Sequence, residues 1–320
     1  MKKVIYERFG NPVEVLKVVE EPSPPLGAGQ VRVEVLRAPI NPSDLIQIAG
    51  DYGVKPPLPA TAGNEGLGRI VEGAGAGQLV LLPAGTGTWV SEMICDPKTL
   101  VQMPEGDLDQ LSMLFVNPAT AHLMLKEYVD LKEGEWVIQS AANSAVGGYL
   151  VQIAKARGIN LVNVVRRESA IAGLKELGAE VVLVDGPDLA ERVKAETGAK
   201  MRLAIDAVAG STAERLAATL ERGGTLVNYG GMSNEPVSLN PGTLIFSDVT
   251  VRGFWLVTWM NKADPNAQNA LYGKLAGQIM QGKLYAPIDK HFTLDEITEA
   301  AEYSWAGGRS GKVMIAPNGI

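Results

Sequence analysis

The chain has 320 residues, of which 46% are hydrophobic and 20% are charged. This length suffices for about two domains, and this composition predicts substantial cores rather than global disorder. Lysine and arginine total 29 against 36 aspartates and glutamates, for a formal net charge of −7. The chain thus lacks the basic excess of a general nucleic-acid binder, and we expect no nucleic-acid partner.

The chain has few residues of the types that form disulfides or hold zinc: Cys95, His122 and His291 are its only cysteine and histidines. A disulfide within the chain is impossible and a zinc site lacks donors, so we expect no metal. The first ten residues lack the apolar stretch of a secretory signal. No window approaches the roughly 20 apolar residues of a membrane span. We expect a cytoplasmic protein with no membrane partner.

Residues 1 to about 115 have the pattern of short strands and turns. The segment VRVEVL (31–36) alternates apolar and polar side chains, as a half-buried strand does. Segments rich in proline and glycine, which favour turns, surround it: EPSPPLGAG (21–29), KPPLPATAG (55–63) and EGAGAGQ (72–78). We predict an irregular, mostly β domain whose strands form a partly closed barrel.

A different pattern begins near residue 117, where apolar strands alternate with helical segments such as 147–158 and 212–224. The predicted strands are WVIQSAA (136–142), NLVNVVRR (160–167), EVVLVD (180–185), MRLAIDAV (201–208), TLVNYGG (225–231) and VTVRGFWL (249–256). This alternation predicts a parallel sheet covered on both faces, and six strands match a doubly wound, Rossmann-type dinucleotide domain.

The residues after 256 include one helical stretch and are too short to form a domain of their own. We therefore assign them to the first domain. The sequence predicts an α/β protein in which residues 1–116 and 257–320 form the barrel domain and residues 117–256 form the Rossmann-type domain.

The turn after the first strand of the parallel sheet reads AANSAVGG (141–148). A standard dinucleotide fingerprint has glycines at the positions of Ala142, Ser144 and Gly147, and only the last is kept. Small residues still permit a tight turn and let backbone N–H groups approach a phosphate at the helix N-terminus. The motif favours a phosphate-binding turn, with an ordinary small polar turn as the alternative.

Two arginines, Arg166 and Arg167, end the second predicted strand. Enzymes that prefer NAD place a carboxylate there, whereas a guanidinium suits the 2′-phosphate of NADP(H) through paired, charged hydrogen bonds. We therefore favour NADPH, with two solvated arginines as the alternative. Glu168 complicates this choice, since it could be the missing carboxylate or could pair with an arginine.

The segments PINPSD (39–44) and GNEG (63–66) resemble the medium-chain dehydrogenase/reductase superfamily. Its zinc alcohol dehydrogenases have a zinc-binding cysteine where this chain has Asn41 and a zinc-binding histidine where it has Asn64. The resemblance implies a GroES-like barrel domain and a Rossmann-type domain, with the zinc lost. Alcohol oxidation through a zinc-bound alkoxide is therefore not expected.

Among zinc-free members, the chain is similar to the 2-enoyl thioester reductases, the trans-2-enoyl-CoA/acyl-carrier-protein reductases of bacteria and mitochondria. The similar segments are INPSDLIQIAGDYGVKPPLPATAGNEG (40–66), VNPATAHLML (116–125), AANSAVGG (141–148), NVVRR (163–167), RGGTLVNYGGMS (222–233) and RGFWL (252–256). The family often has Arg-Asp-Arg where this chain has Arg166, Arg167 and Glu168, so phosphate binding is expected through Arg166.

The resemblance implies that NADPH reduces a 2-enoyl thioester, with hydride added at Cβ and a proton at Cα. Negative charge develops on the thioester oxygen, so the reaction needs a hydrogen-bond donor there and an acid near Cα. Tyr52, in a turn-rich loop ahead of Pro56 and Pro57, matches the family's catalytic tyrosine. An unperturbed phenol has a pKa of about 10 and is protonated at neutral pH.

The same resemblance implies the contacts with the cofactor. The expected residues are Asn117, Asn143, Ser144, Ala145, Val146, Arg166, Arg167, Glu168, Tyr229, Gly230, Gly231, Met232, Phe254, Trp255, Leu256 and Lys312. As alternatives, Phe254 and Leu256 would be strand core and Lys312 a solvated charge at a strand end.

The expected substrate is carried by CoA or by acyl-carrier protein, and the resemblance implies a homodimer joined through the edges of the cofactor-domain sheets. Two other functions stay open. A zinc-free NADPH:quinone oxidoreductase needs the same cofactor turn but no dedicated proton donor, so the Tyr52 loop distinguishes it. A non-catalytic protein would bind NADPH without turnover.

Overall fold

The computed structural model describes residues 1–319. The strands are β1 (Lys2–Tyr6), β2 (Lys17–Glu20), β3 (Val31–Pro39), β4 (Ala60–Thr61), β5 (Leu67–Glu72), β6 (Leu79–Leu81), β7 (Glu92–Cys95), β8 (Val101–Met103), β9 (Trp136–Gln139), β10 (Asn160–Val165), β11 (Val181–Val184), β12 (Met201–Asp206), β13 (Leu220–Asn228), β14 (Thr250–Gly253), β15 (Ile288–Phe292) and β16 (Lys312–Ile315).

The α-helices are α1 (Pro12–Val15), α2 (Pro42–Ala49), α3 (Leu108–Ser112), α4 (Asn117–Glu127), α5 (Ala145–Ala156), α6 (Ile171–Glu176), α7 (Leu189–Thr197), α8 (Gly210–Ala217), α9 (Pro241–Phe246), α10 (Leu256–Lys262), α11 (Pro265–Met280) and α12 (Ile297–Ala306). Single 3₁₀ turns span Pro97–Thr99, Glu168–Ala170 and Leu294–Glu296. No helix within residues 1–319 is long and apolar enough to cross a bilayer.

The chain divides into two compact units. The first comprises Met1–Val116, Ala276–Gln281 and the residues from Ala286 onward, and the second comprises Asn117–Leu275 and Gly282–Tyr285. Residues 257–275, which the sequence assigns to the first domain, therefore lie in the second unit. The reason is that α11 packs back on α10: Gln268 Nε2 donates to the carbonyl oxygen of Met260 at 2.9 Å, and the Tyr272 hydroxyl lies 3.4 Å from Met260 Sδ.

Two sheets build the first unit. One has the strand order β2-β1-β4, and the other has the order β15-β16-β3-β5-β6-β8, with β7 also paired to β3. In β3, Val31, Val33 and Val35 are fully buried while the residues between them are partly exposed, because successive side chains of a strand point to opposite faces. The predicted mostly β, GroES-like architecture is confirmed.

Helix α2 lies in a region whose proline and glycine pattern suggests only strands and turns. Pro42 occupies its first turn, and the Asp44 carboxylate accepts a hydrogen bond from the backbone N–H of Asn41 at 2.7 Å, as at a capped N-terminus. The helix buries Leu45 and Ile48 and ends at Gly50, whose φ of 93° is left-handed. Apolar side chains in only two turns give too weak a periodic pattern to predict this helix.

The second unit has a parallel sheet with the order β11-β10-β9-β12-β13-β14. The predicted six-stranded, doubly wound sheet is confirmed. Several predicted boundaries are wrong. Helix α8 ends at Ala217, so that Leu220–Gly224 belong to β13, and the strands β9, β13 and β14 end three residues earlier than predicted, at Gln139, Asn228 and Gly253. Leu220 pairs with Met201 of the neighbouring strand, and this tertiary pairing overrides the local helical pattern.

Candidate functional site

The turn between β9 and α5 is built for close backbone approach. A Cβ on Gly147 would lie 2.2 Å from the carbonyl oxygen of Ala142, so only glycine fits there. The Ser144 hydroxyl caps α5 by accepting from Gly147 N at 3.1 Å, while Ala141 makes the tight turn with a φ of 47°. The predicted residues Asn143, Ser144, Ala145 and Val146 surround the N-terminus of this 12-residue helix and are exposed or half-buried, where a phosphate binds favourably.

Two buried amides support this turn from within the sheet, and sequence reasoning missed both. Gln139 Nε2 donates to the carbonyl oxygen of Gly147 at 3.0 Å and to Asn163 Oδ1 at 2.7 Å. Asn163 in turn donates to the carbonyl oxygens of Leu161 and Val181. Both amides are fully buried. A polar residue within each of two otherwise apolar strands was the available signal.

The arginines predicted to bind a phosphate follow β10 directly. Arg166, Arg167 and Glu168 are exposed, and Glu168 begins a 3₁₀ turn. Among residues 1–319, neither arginine makes an ion pair with Glu168 or with another carboxylate. Both guanidinium groups are therefore available to an anionic ligand at the carboxyl edge of the sheet.

The segment after β13 presents an unusual tyrosine. The Tyr229 hydroxyl is buried close to Ser144 and makes no hydrogen bond of good geometry among the described residues. Burial raises the pKa of this phenol above its usual value, so it stays a donor without an acceptor. Gly230 approaches the Ala207 carbonyl so closely that a Cβ would lie 2.9 Å from the oxygen, whereas Gly231 has open space and Met232 is 52% exposed.

A buried carboxylate, Asp206, holds the neighbouring turn and was also missed. It accepts from Ser140 Oγ at 2.7 Å, from Asn228 Nδ2 at 3.0 Å and from the backbone N–H of Ala209 at 2.9 Å. Ala209 is held at φ 66° and ψ −155°, a conformation that favours glycine. A charged residue at the end of an apolar strand was the signal for this network.

The remaining predicted residues of the second unit lie in a loop or at the starts of helices rather than in strands. Asn117 is buried and begins α4. Phe254 follows β14, donates its N–H to the Asn228 carbonyl and packs edge-on against Tyr128. Trp255 is 36% exposed at the start of α10, and Leu256 is its buried first residue. The alternative that Phe254 and Leu256 are strand core is wrong.

The first unit contains a cluster of polar groups, here called the closed polar cluster. Its buried members are Asn41, Asp44, Glu65 and Lys312, and its half-buried member is Asn64. The Lys312 ammonium donates to Asn41 Oδ1 at 2.5 Å and to the Ile40 carbonyl at 2.9 Å. Asn41 Nδ2 donates to Glu65 Oε1 at 2.7 Å, and Asn64 Nδ2 donates to Asp44 Oδ1 at 2.7 Å. Lys312 is only 5% exposed, so the alternative of a solvated charge is wrong.

Charge compensation explains why these groups tolerate burial. Burial raises the pKa of Glu65 and lowers that of Lys312, and their mutual attraction opposes both shifts. Burial also raises the pKa of Asp44 to about 6, against the hydrogen bonds from Asn41 and Asn64. An isolated buried charge would cost far more than this arrangement.

The closed polar cluster does not fit a zinc ion. The oxygen of Asn41 accepts from an ammonium group, and the amide nitrogen of Asn64 is turned toward a carboxylate. Zinc prefers thiolate, imidazole and carboxylate ligands, and the described residues contain no group of three His, Cys, Asp or Glu side chains that could hold a metal. A cationic ammonium already balances the carboxylates at this position.

Tyr52 lies three residues after the end of α2, in the loop formed by residues 51–58, and its side chain is half-buried. Tyr52 and Lys312 belong to the first unit, and every other predicted site residue belongs to the second. The cofactor contact of Lys312 stays a prediction, as does the catalytic role of Tyr52.

The second unit fits a dinucleotide that carries an extra phosphate. The turn before α5 has Gly147 where a Cβ would collide with Ala142, so that backbone N–H groups at the helix N-terminus can approach a phosphate. Arg166 and Arg167 are exposed and make no ion pair among residues 1–319. The hydroxyl of Tyr229 lacks an acceptor at the same edge. In open α/β sheets, ligands bind at this carboxyl edge.

Comparisons with known proteins agree with this arrangement. Residues 27–105 match the family model of the alcohol dehydrogenase GroES-like domain, and residues 145–269 match that of the zinc-binding dehydrogenases. The mitochondrial enoyl-[acyl-carrier-protein] reductase of Homo sapiens is 37% identical over 332 residues, which cover 98% of this chain and 88% of that protein.

Solved structures are similar over nearly the whole chain. The Etr1p complex with NADP and crotonyl-CoA is 28% identical with a TM-score of 0.88, and covers 98% of this chain and 99% of its own. The Etr1p/Etr2p heterodimer from Candida tropicalis is 29% identical with a TM-score of 0.86, at the same coverage. A putative NADPH:quinone reductase from Bacillus thuringiensis is 27% identical with a TM-score of 0.89, and covers 98% of both chains. The chain belongs to the enoyl thioester reductases, a zinc-free family of the medium-chain dehydrogenase/reductases.

Proposed function

We propose that this protein uses NADPH to reduce the 2,3 double bond of trans-2-enoyl thioesters, with Tyr52 as the proton donor. The observation that carries the proposal is the closed polar cluster, where asparagines stand at the two positions that resemble zinc ligands and hydrogen-bond to Lys312, Glu65 and Asp44. Charge on the reacting oxygen must then be stabilised by hydrogen-bond donors. A protonated phenol in the adjacent loop supplies such a donor, and the similarity to enoyl reductases names the substrate class.

The cofactor NADPH supplies the hydride when it is bound. We assign its pyrophosphate to the N-terminus of α5, from Asn143 to Val146, and its 2′-phosphate to Arg166 and Arg167. Glu168 borders the same ribose. The segments Tyr229–Met232 and Phe254–Leu256, together with Asn117 and Lys312, complete the proposed contacts, and the unpartnered Tyr229 hydroxyl supports a polar ligand atom near Ser144.

The protein's part in the chemistry is to hold and deliver a proton. Hydride arrival at Cβ moves an electron pair onto the thioester oxygen, and a proton then has to reach Cα. The Tyr52 hydroxyl donates that proton and is reprotonated from water. General acid catalysis of this kind contributes about 10²- to 10⁴-fold, so Tyr52 is expected to matter for kcat more than for cofactor binding.

The test is NADPH consumption with crotonyl-CoA and with a simple quinone, for wild type and Tyr52→Phe. We expect enoyl reduction to fall about 10²-fold or more and quinone reduction to persist, because a quinone takes its proton from solvent. Turnover of the quinone alone, indifferent to Tyr52, would establish the alternative function of a zinc-free NADPH:quinone oxidoreductase. The similarity to the Bacillus thuringiensis protein favours keeping this alternative.

The acyl group of the proposed substrate needs a carrier. We propose that the enzyme accepts thioesters of CoA or of acyl-carrier protein, because the curated relatives are named for the latter and the Etr1p structure for crotonyl-CoA. Comparing kcat/KM for the same acyl chain on both carriers would identify the preferred one.

We propose a homodimer formed through β14. This edge strand pairs only with β13 among the described residues, and all four of its residues are exposed. Ile245 and Phe246 of the preceding helix are 68% and 75% exposed, which is unusual for a surface that faces only water. Sedimentation of an Ile245→Asp/Phe246→Asp variant should give a monomer if this face joins two copies. An unchanged sedimentation coefficient would contradict the proposal.

A cytoplasmic location also remains a proposal. It is supported by the single cysteine, Cys95, which is buried in β7 and whose pKa burial raises to about 11. Such a thiol behaves as a small core residue and has no disulfide partner in the chain. Because the curated relatives are mitochondrial, fractionation of cells that express the protein is the deciding measurement.

A further inference from the structure

We infer that Asn64 and Gln47 are positioning residues that hold the Tyr52 loop through a hydrogen-bond relay starting in the closed polar cluster. The role rests on the proposed function of Tyr52. Asn64 stands where the similar zinc alcohol dehydrogenases have a zinc-binding histidine. Its inferred role in this chain is to position the Tyr52 loop.

Helix α2 connects the two ends of this relay. Its N-terminal turn holds Asp44 in the closed polar cluster, and its C-terminal end leads through Gly50 into the Tyr52 loop. Eight residues of α-helix rise about 12 Å, so the cluster and the loop are joined by a short, stiff element. Leu45 and Ile48 are buried on its inner side, which fixes the helix in the unit.

The relay runs along the polar side of α2. Asn64 Nδ2 donates both to Asp44 Oδ1 at 2.7 Å and to Gln47 Oε1 at 3.2 Å. Gln47 Nε2 donates to the carbonyl oxygen of Val54 at 3.4 Å. Because the oxygen of Gln47 is held by Asn64, its amide nitrogen is turned toward the loop. The long final bond is the weakest step.

Asn64 is itself fixed by its backbone and by its charged acceptor. Its carbonyl oxygen accepts from Gly85 N at 2.9 Å, and it stands between the buried residues Gly63 and Glu65. An asparagine amide has two N–H donors in one plane, so it can serve the Asp44 carboxylate and Gln47 together. An aspartate at this position could donate to neither.

Other contacts of the Tyr52 loop lie near its beginning and at Lys55. Gly50 packs so closely against Phe9 that a Cβ there would lie 2.9 Å from Phe9 Cβ. The Lys55 ammonium lies 5.6 Å from the centre of the Phe9 ring. Asp51, Gly53 and Val54 are exposed. The Gln47 contact therefore restrains the carbonyl two residues after Tyr52, and misplacement of a catalytic group by about 1 Å can lower the rate strongly.

The test is a double-mutant cycle between Gln47→Leu and Tyr52→Phe, with crotonyl-CoA as substrate. In the enzyme that keeps Tyr52, we expect Gln47→Leu to lower kcat about three- to tenfold with an unchanged KM for NADPH. In the Tyr52→Phe enzyme, the same change should have no further effect on kcat. Asn64→Ala is expected to repeat this pattern, because it releases Gln47.

Three controls separate positioning from general stability. Gln30→Leu removes a matched glutamine whose oxygen accepts from Gly27 N at 3.0 Å in an exposed turn, and it should leave kcat unchanged. Thermal unfolding of each variant shows whether it is folded, and quinone reduction reports an activity that does not need Tyr52.

The outcomes are distinguishable. The inference would be overturned if Gln47→Leu and Asn64→Ala lowered kcat as much in the Tyr52→Phe enzyme as in the enzyme that keeps Tyr52. It would also be overturned if both variants lowered quinone reduction in parallel. Either result would leave the proposed function intact. If Tyr52→Phe alone reduces crotonyl-CoA as well as wild type does, the proposed donor is wrong and the positioning role falls with it.

Discussion

The closed polar cluster and the carboxyl edge of the parallel sheet differ in whether their polar groups have partners within the chain. In the cluster, Lys312, Glu65 and Asp44 are buried and each has partners within the chain. At the sheet edge, Arg166 and Arg167 are exposed without ion pairs among residues 1–319, and the buried Tyr229 hydroxyl lacks an acceptor.

The difference lies in whether the polar groups find their hydrogen-bond partners within the chain. Buried polar groups without partners are costly, so they persist where a ligand completes them. Buried polar groups that hydrogen-bond to one another need no ligand to complete their hydrogen bonds. Internal satisfaction is consistent with a role of the cluster in supporting neighbouring elements, and its absence at the sheet edge supports the cofactor site proposed there.

The largest effect is expected from Lys312→Met. It leaves Glu65 and Asp44 buried without their cation, and breaking such a pair typically costs about 3–5 kcal/mol. Urea unfolding at pH 7 measures the loss. The double variant Lys312→Met/Glu65→Gln should recover much of it, and a loss under about 1 kcal/mol would show that the cluster does not depend on charge pairing.

A change at the sheet edge should affect binding and leave folding intact. Arg166→Ala is expected to raise the Kd for NADPH about 10- to 100-fold, because a charge-assisted, paired contact with the 2′-phosphate is lost. The Kd for NADH, which lacks that phosphate, should not change, and unfolding should shift by less than about 0.5 kcal/mol. Fluorescence titration with both cofactors measures this, and an equal loss for both would contradict the assignment.

His122 is a partly buried titratable group of the second unit that lies near three cations. Burial, and then Lys274, Lys126 and Arg157, lower its pKa to about 4. Because the folded-state pKa lies below the ordinary value of about 6.5, the neutral ring is favoured by folding. Its contribution to stability is complete above pH 6.5 and is lost as the pH falls toward 4.

We therefore expect wild type to lose about 1–2 kcal/mol more stability than His122→Gln between pH 7 and pH 4, an amount reduced by the partial exposure of the ring. Urea unfolding at a series of pH values measures the difference. Parallel pH profiles for the two proteins would show that His122 does not titrate in this range.

The smallest effect is expected at the strained turn of the sheet edge. Ala209→Gly removes a side chain from a backbone held at φ 66° and ψ −155°, a strain of about 1–3 kcal/mol. Glycine also gains freedom in the unfolded chain, which offsets about 0.5–1 kcal/mol. The net gain should be about 1 kcal/mol in thermal unfolding, and Ala209→Val should destabilise instead.

Much of the architecture was predictable because it follows from local patterns. Alternating burial in β3 and continuous apolar strands from β9 to β13 are visible along the chain. The tight turn before α5 was also predictable, because the dinucleotide fingerprint has a glycine at the position of Gly147, where a Cβ would collide with Ala142. Helix α2 was not, since its two turns are capped by Asp44 and packed by tertiary contacts.

The sequence by itself determined the two fold classes, the family and the residue types at the cofactor turn, since these depend on periodicity and on short motifs. Only the tertiary structure decided what Lys312, Glu65, Asn64 and Gln47 do. Their partners lie between 7 and 272 residues away along the chain, and a hydrogen bond requires a distance and an angle that no local pattern contains. The same holds for Tyr229, whose lack of an acceptor is visible only once its surroundings are folded.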